Sequence, residues 1–136
     1  MKIIIPGVPV GKGRPKFSTF GGYPKAYTPQ KTVNYENLVK MAFYASGAKP
    51  FDKDVQLRAE ITAYFPIPKS VSNKKRLEML SGVIMHTKKP DADNVAKTIL
   101  DALNGLAFYD DSQICKLGVC KMYSDEPRAE VTIREI

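Results

Sequence analysis

Over residues 55–65 apolar side chains fall on every second position: Val55, Leu57, Ala59, Ile61, Ala63 and Phe65. Over residues 93–104 they fall at helical spacing instead, on Val95, Ala96, Ile99, Leu100 and Leu103, and Gly105 ends the run. A two-residue period describes a strand with one face on a core, and a 3.6-residue period describes a helix with one buried stripe. A chain that changes period in this way folds by packing helices on a sheet.

The remaining elements fit that plan. Residues 1–5, with three consecutive Ile, read as a short strand stopped by Pro6-Gly7. A helix is expected over 29–46, where Val33, Asn37/Leu38, Met41/Ala42 and Ala45 recur at helical spacing and Gly47 stops it. Residues 70–81 suit a short polar helix with Ser70 as its cap. Residues 114–123 and 129–133 read as a terminal pair of strands, joined around Asp125-Glu126-Pro127. The expected class is α/β (α+β): a single domain over residues 1–136 with a small mixed β-sheet packed with helices.

Composition excludes several alternatives. No apolar run approaches the ~20 residues that span a bilayer. The apolar start is cut short by Pro6-Gly7 and by Gly11-Lys12-Gly13-Arg14, so it does not read as a signal peptide, and a cytoplasmic location is expected. Cys115 and Cys120 stand five apart and point to opposite faces of a strand. They are expected as two small buried hydrophobes in a reducing compartment. With His86 as the single histidine, a structural zinc site has too few ligands. His86 also has no partners that suggest a nucleophilic triad.

Charge carries more information. The net charge is +7, but its distribution is uneven. Residues 1–50 hold eight Lys/Arg and one acid, whereas residues 91–111 hold five Asp against Lys97 alone. A basic surface attracts phosphate, and a compact island of carboxylates gathers a metal; together they suit a nuclease.

Residues 6–29 contain five Pro, five Gly and four Lys/Arg and read as a long basic loop. Gly7-Val8-Pro9-Val10-Gly11-Lys12 is not a nucleotide-binding loop, because three residues rather than four separate its glycines and Gly13 follows the Lys. Lys12, Arg14, Lys16 and Lys25, with Phe17, Phe20, Tyr23 and Tyr27 among them, suit contact with nucleic acid. The cations would meet phosphates, and the aromatics would stack on exposed bases or wedge between them.

The acidic island has a definite pattern. Asp91 and Asp93 stand two apart where an extended stretch enters a helix, and Lys97 follows Asp93 by one helical turn. An Asp before a helix is ordinarily a cap, but two caps are not needed. After the helix, a return loop would bring Asp110-Asp111 back toward the first pair. Neighbouring strand residues face opposite ways, so only one of the two would join it. Asp101, eight residues beyond Asp93, is on the order of 12 Å away along the helix, too far to share a metal; it reads as structural, paired with Lys97.

Pro90-Asp91-Ala92-Asp93-Asn94, Lys97, Asp101-Ala102-Leu103 and Asp110-Asp111-Ser112-Gln113-Ile114 resemble the RusA-type Holliday-junction resolvases. The N-terminal half agrees, with Gly11-Lys12-Gly13-Arg14-Pro15, then Tyr27-Thr28-Pro29 leading into a helix that carries Tyr35-Glu36. The resemblance implies a small homodimeric, magnesium-dependent endonuclease, of a family often encoded by prophages, that cuts four-way DNA junctions. It places the catalytic and metal-binding aspartates on Asp91, Asp93 and one of Asp110/Asp111, with the family pattern favouring Asp111, and the active-site lysine on Lys97. Three gathered carboxylates repel one another without a cation, and hard oxygen donors suit Mg²⁺. Two other readings remain open: a non-catalytic module that binds branched DNA, and a metal-dependent nuclease acting on other branched or single-stranded DNA. Paired nicks call for two sites and hence a C₂ dimer. The helix over 30–46, with Met41, Ala42, Phe43 and Tyr44 beyond a single stripe, is the expected contact.

Overall fold

The computed structural model describes residues 1–136, the side chain of Phe20 excepted. The elements run β1 (Lys2–Pro6), β2 (Lys16–Ser18), β3 (Lys25–Tyr27), α1 (Gln30–Ser46), β4 (Leu57–Pro66), α2 (Asn73–Leu80), α3 (Ala92–Leu103), β5 (Ile114–Ser124) and β6 (Arg128–Glu135). Four strands form one mixed sheet in the order β1-β6-β4-β5. β6 is antiparallel to β1 and β4, whereas β4 and β5 are parallel. A parallel pair needs a crossover, and the segment carrying α2 and α3 supplies it. β2 and β3 form a separate antiparallel hairpin.

The sheet has one apolar face. Leu57, Ala59, Ile61, Ala63 and Phe65 of β4 are buried, while Arg58, Glu60, Thr62 and Tyr64 between them stay half-exposed. Ile3 and Ile5 extend the apolar face on β1, and Ala129, Val131 and Ile133 extend it on β6. α1 and α3 cover it with Tyr35, Val39 and Phe43 from the first helix and Val95, Ile99, Leu100 and Leu103 from the second. The core therefore sits between one sheet face and a helical layer, as the two hydrophobic periods require.

Several expectations are corrected. Residues 6–29 are not one long loop, since they include the β2–β3 hairpin; strands of three residues are too short to leave a periodic signature. Ser72, not Ser70, caps α2, its Oγ accepting the Lys75 N–H at 3.2 Å. α1 buries Thr32, Tyr35, Val39 and Phe43, leaving Leu38, Met41 and Tyr44 exposed. A helix apolar on more than one side does not declare which side faces inward, and the stripe with two large aromatics took the core. Phe43 is accordingly a core residue and is unavailable as a dimer contact. α1 does end at Gly47, whose φ of +69° is the left-handed cap conformation that glycine adopts without strain. Cys115 and Cys120 are both exposed free thiols, not buried hydrophobes. β5 is an edge strand, so its faces are only partly covered. Among the described residues, no helix is long and apolar enough to cross a membrane.

Candidate active site at the start of α3

Asp91 is the residue that opens α3. Its backbone is extended (φ −66°, ψ 150°) and its carbonyl accepts the Val95 N–H at 3.1 Å. Its carboxylate makes no capping bond. That group accepts the Lys89 ammonium at 2.8 Å instead. The hydrogen bond from Lys89, then the charge of Lys89 and more distantly that of Lys121, hold Asp91 below the usual carboxylate range against a small opposing desolvation. Asp93 lies exposed in the first turn. Two carboxylates thus stand at the positive end of the helix dipole, and neither is occupied as a cap. Lys97, one turn further along, keeps its side chain 62% exposed and lies 3.9 Å from Asp101.

The segment Gly11-Lys12-Gly13 straps this helix start to α1. The Lys12 N–H donates to the Asn94 carbonyl at 3.0 Å, and the Gly13 N–H donates to Thr32 Oγ1 of α1 at 3.1 Å. At Gly11 a Cβ atom would lie 2.7 Å from Pro90 Cβ, so the strap approaches as only glycine allows. The Lys12 ammonium sits 2.8 Å from Glu36 Oε1 and 3.1 Å from Asp101 Oδ2. The Lys12 ammonium, expected as a phosphate contact, is 22% exposed and shared by these two carboxylates. The pairing of Asp101 with Lys97 is present but secondary to Lys12.

Two grooves adjoin the strap and share Lys12, Gly13 and Asn94. One, of about 440 Å³, also involves Lys31, Lys89 and Pro90. The other, of about 250 Å³, also involves Arg14, Pro15, Thr28 and Lys97. Arg14, Lys16 and Lys25 are all exposed around the hairpin, with Arg14 beside the second groove. Phe17, Tyr23 and Tyr27 are exposed as well, whereas the side chain of Phe20 lies outside the described residues.

The return loop does not bring Asp110 and Asp111 back to Asp91 and Asp93 within one chain. α3 carries the chain roughly 18 Å along its axis, and the loop leaves from its far end. Asp110 remains there, hydrogen-bonded to Ser112 and Asn104, which hold its pKa below the usual range. It caps the turn Asp111–Gln113 reciprocally with Gln113, and the Gln113 amide in turn donates to the carbonyls of Asp52 and Val55. Asp110 is therefore committed to structure, while Asp111 stays exposed beside it. Among the described residues no three His, Cys, Asp or Glu gather closely enough to hold a metal ion.

The β5 residue that reaches Asp91 is Lys121, far along the strand from Asp111. Sequence reasoning missed Lys121, because the β4–β5 register that places it is long-range. It also missed Lys89 as the partner of Asp91, although their spacing of two residues was visible. Lys121 further donates to the Lys88 carbonyl at 2.5 Å, and its own carbonyl accepts the His86 N–H at 3.0 Å.

The model of the family described as endodeoxyribonuclease RusA matches residues 6–134. A Bacillus subtilis (strain 168) protein named Uncharacterized protein YqaN is 40% identical over 139 residues, covering 100% of this chain and 96% of that protein. The crossover junction endodeoxyribonuclease rusA of Lactococcus phage r1t is 32% identical over 87 residues, covering 63% of this chain and 60% of that protein.

Proposed function

Since the chain belongs to the RusA endodeoxyribonuclease family, we propose that it resolves four-way DNA junctions by paired symmetric nicks, in recombination and repair. The observation that carries this is the start of α3. Asp91 and Asp93 are both free of capping, Lys97 stands one turn away, and their neighbours Lys89, Pro90 and Asn94 line a groove. Arg14, Lys16 and Lys25 would hold DNA phosphates beside it.

The donors fit Mg²⁺, which commonly takes one or two carboxylates and completes its shell with water and substrate phosphate. Asp91 and Asp93 would hold it, and Lys89, whose side chain is 85% exposed, would give up its weak surface pairing with Asp91. Bound there, the ion would supply Lewis-acid polarisation of the phosphate and a more acidic water. Lys97 would offset charge that develops on the phosphate oxygens. Asp101 and Lys12, tied to each other, would keep the helix start fixed under that load.

A homodimer follows from the need for two nicks at symmetric positions. It also offers Asp111 a route to the site. Asp111 is at the far end of α3 from Asp91 in its own chain, so it would serve as a further ligand from the partner. The decisive experiment incubates the protein with a synthetic four-way junction and Mg²⁺. Two nicks at positions related by the two-fold axis are expected. A gel shift without cleavage would make it a binding module, and cutting confined to flaps or single strands would assign another substrate.

A further inference from the structure

The β2–β3 hairpin is built unlike the rest of the fold. Residues 14–28 include Arg14, Lys16 and Lys25 and no acidic residue. Phe17 is 72% exposed and Tyr27 49% exposed. Large aromatic surface left in water on a strongly basic element marks a contact surface for an anionic partner that offers flat apolar faces. Nucleic acid bases on a phosphate backbone have that chemistry.

The register sharpens the point. Lys16 stands opposite Tyr27, and Phe17 opposite Ala26. Residues directly opposite share a face, and successive residues alternate faces. Tyr27 and Lys16 therefore project from one side of the ribbon and Phe17 from the other. In continuous duplex the base faces are covered by stacking, whereas a branch point interrupts the stack and exposes a base on each side of the break. The base of the hairpin also borders the groove that Lys97 lines, through Arg14, Pro15 and Thr28.

We infer that this hairpin is a two-sided aromatic wedge for the base faces exposed at a DNA branch point, with Phe17 and Tyr27 stacking on opposite sides and Arg14, Lys16 and Lys25 on the flanking phosphates. The inference rests on the junction reading above and adds the element that recognises the branch.

The chain has no Trp, so Phe17→Trp introduces a single reporter. In metal-free buffer its fluorescence is expected to be quenched by a four-way junction and unchanged by a blunt duplex of the same sequence. Quenching by a single strand alone, and not by the junction, overturns the branch-point assignment. In parallel, Phe17→Ala and Tyr27→Ala are each expected to weaken junction binding by about five- to 150-fold at constant salt. Duplex binding should stay within about twofold, and Phe17→Tyr and Tyr27→Phe should bind as wild type. Equal losses on junction and duplex, or no loss on either, overturn the wedge. Wild-type protein that fails to prefer junction over duplex sinks the junction reading itself. A wild type with that preference and indifferent alanine variants sinks the wedge alone.

Discussion

Lys12 holds one ammonium between carboxylates from two helices, Glu36 on α1 and Asp101 on α3. Desolvation works against its charged form, but the hydrogen bonds and charges of those two acids outweigh it and raise the pKa above the usual 10.5. The stabilisation is therefore present in full below pH 10.5 and lost as pH rises through the folded-state value. All three side chains are less than a third exposed. Lys12→Met should cost about 2 kcal/mol in denaturant unfolding at pH 7, because it leaves two carboxylates unpaired side by side. The gap to wild type should narrow above pH 10.5. His86 behaves oppositely. Its ring stacks on Phe65 at 3.9 Å, and burial, followed by the charges of Lys121 and Lys88, lowers its pKa from 6.5. Below pH 6.5 the unfolded chain takes up a proton that the folded chain does not, so stability falls until the folded-state value is passed. Thermal melts from pH 7.5 to 5 should show a smaller decline in His86→Phe, which keeps the stack but cannot be protonated.

The strap is tied to the start of α3, and the base of the hairpin lines the groove beside it. Gly11 lies against Pro90, and Lys12 binds the carbonyl of Asn94, next to Asp93. Gly11→Ala would force the strap from α3, because the close neighbour is a proline ring that cannot rotate away. It should reduce cleavage at least tenfold while junction binding through the hairpin persists, as single-turnover kinetics and gel shifts would show. The hairpin's electrostatic share is separately measurable. Replacing Arg14, Lys16 and Lys25 with Ala should flatten the log–log salt dependence of binding by about 3, close to one per lost phosphate contact. An unchanged slope would place the hairpin away from DNA. Lys12, held between two acids, is omitted from that set.

At the scale of the whole molecule, the proposed contribution of Asp111 from the partner subunit can be tested directly. If it acts from the partner, a mixed dimer of Asp93→Asn and Asp111→Asn chains keeps one site with all three aspartates, because both substitutions fall in the other. Each variant alone should be inactive, and their co-refolded mixture should regain single-strand nicking of the junction. A mixture as dead as its components would show that each chain uses its own Asp111. Light scattering should give twice the 15.1 kDa chain mass. The exposed Leu38, Met41 and Tyr44 of α1 are the part of the expected contact that remains available.

Local pattern was enough to read much of this protein. The alternation on β4, the stripe on α3, its stop before Gly105 and the acids at both ends of that helix depend on neighbours a few positions apart, and a repeating element displays them directly. The relative placement of elements was not readable in that way. α3 runs away from Asp91 for its full length before β5 begins, so the second acidic pair starts at the wrong end of the helix and Lys121 arrives in its place. Lys12 found its acids on two separate helices, and α1 turned its aromatic stripe inward because the sheet and α3 left room for it there. These outcomes come from packing between segments distant in the chain, where burial of apolar surface selects one arrangement and no local spacing records which.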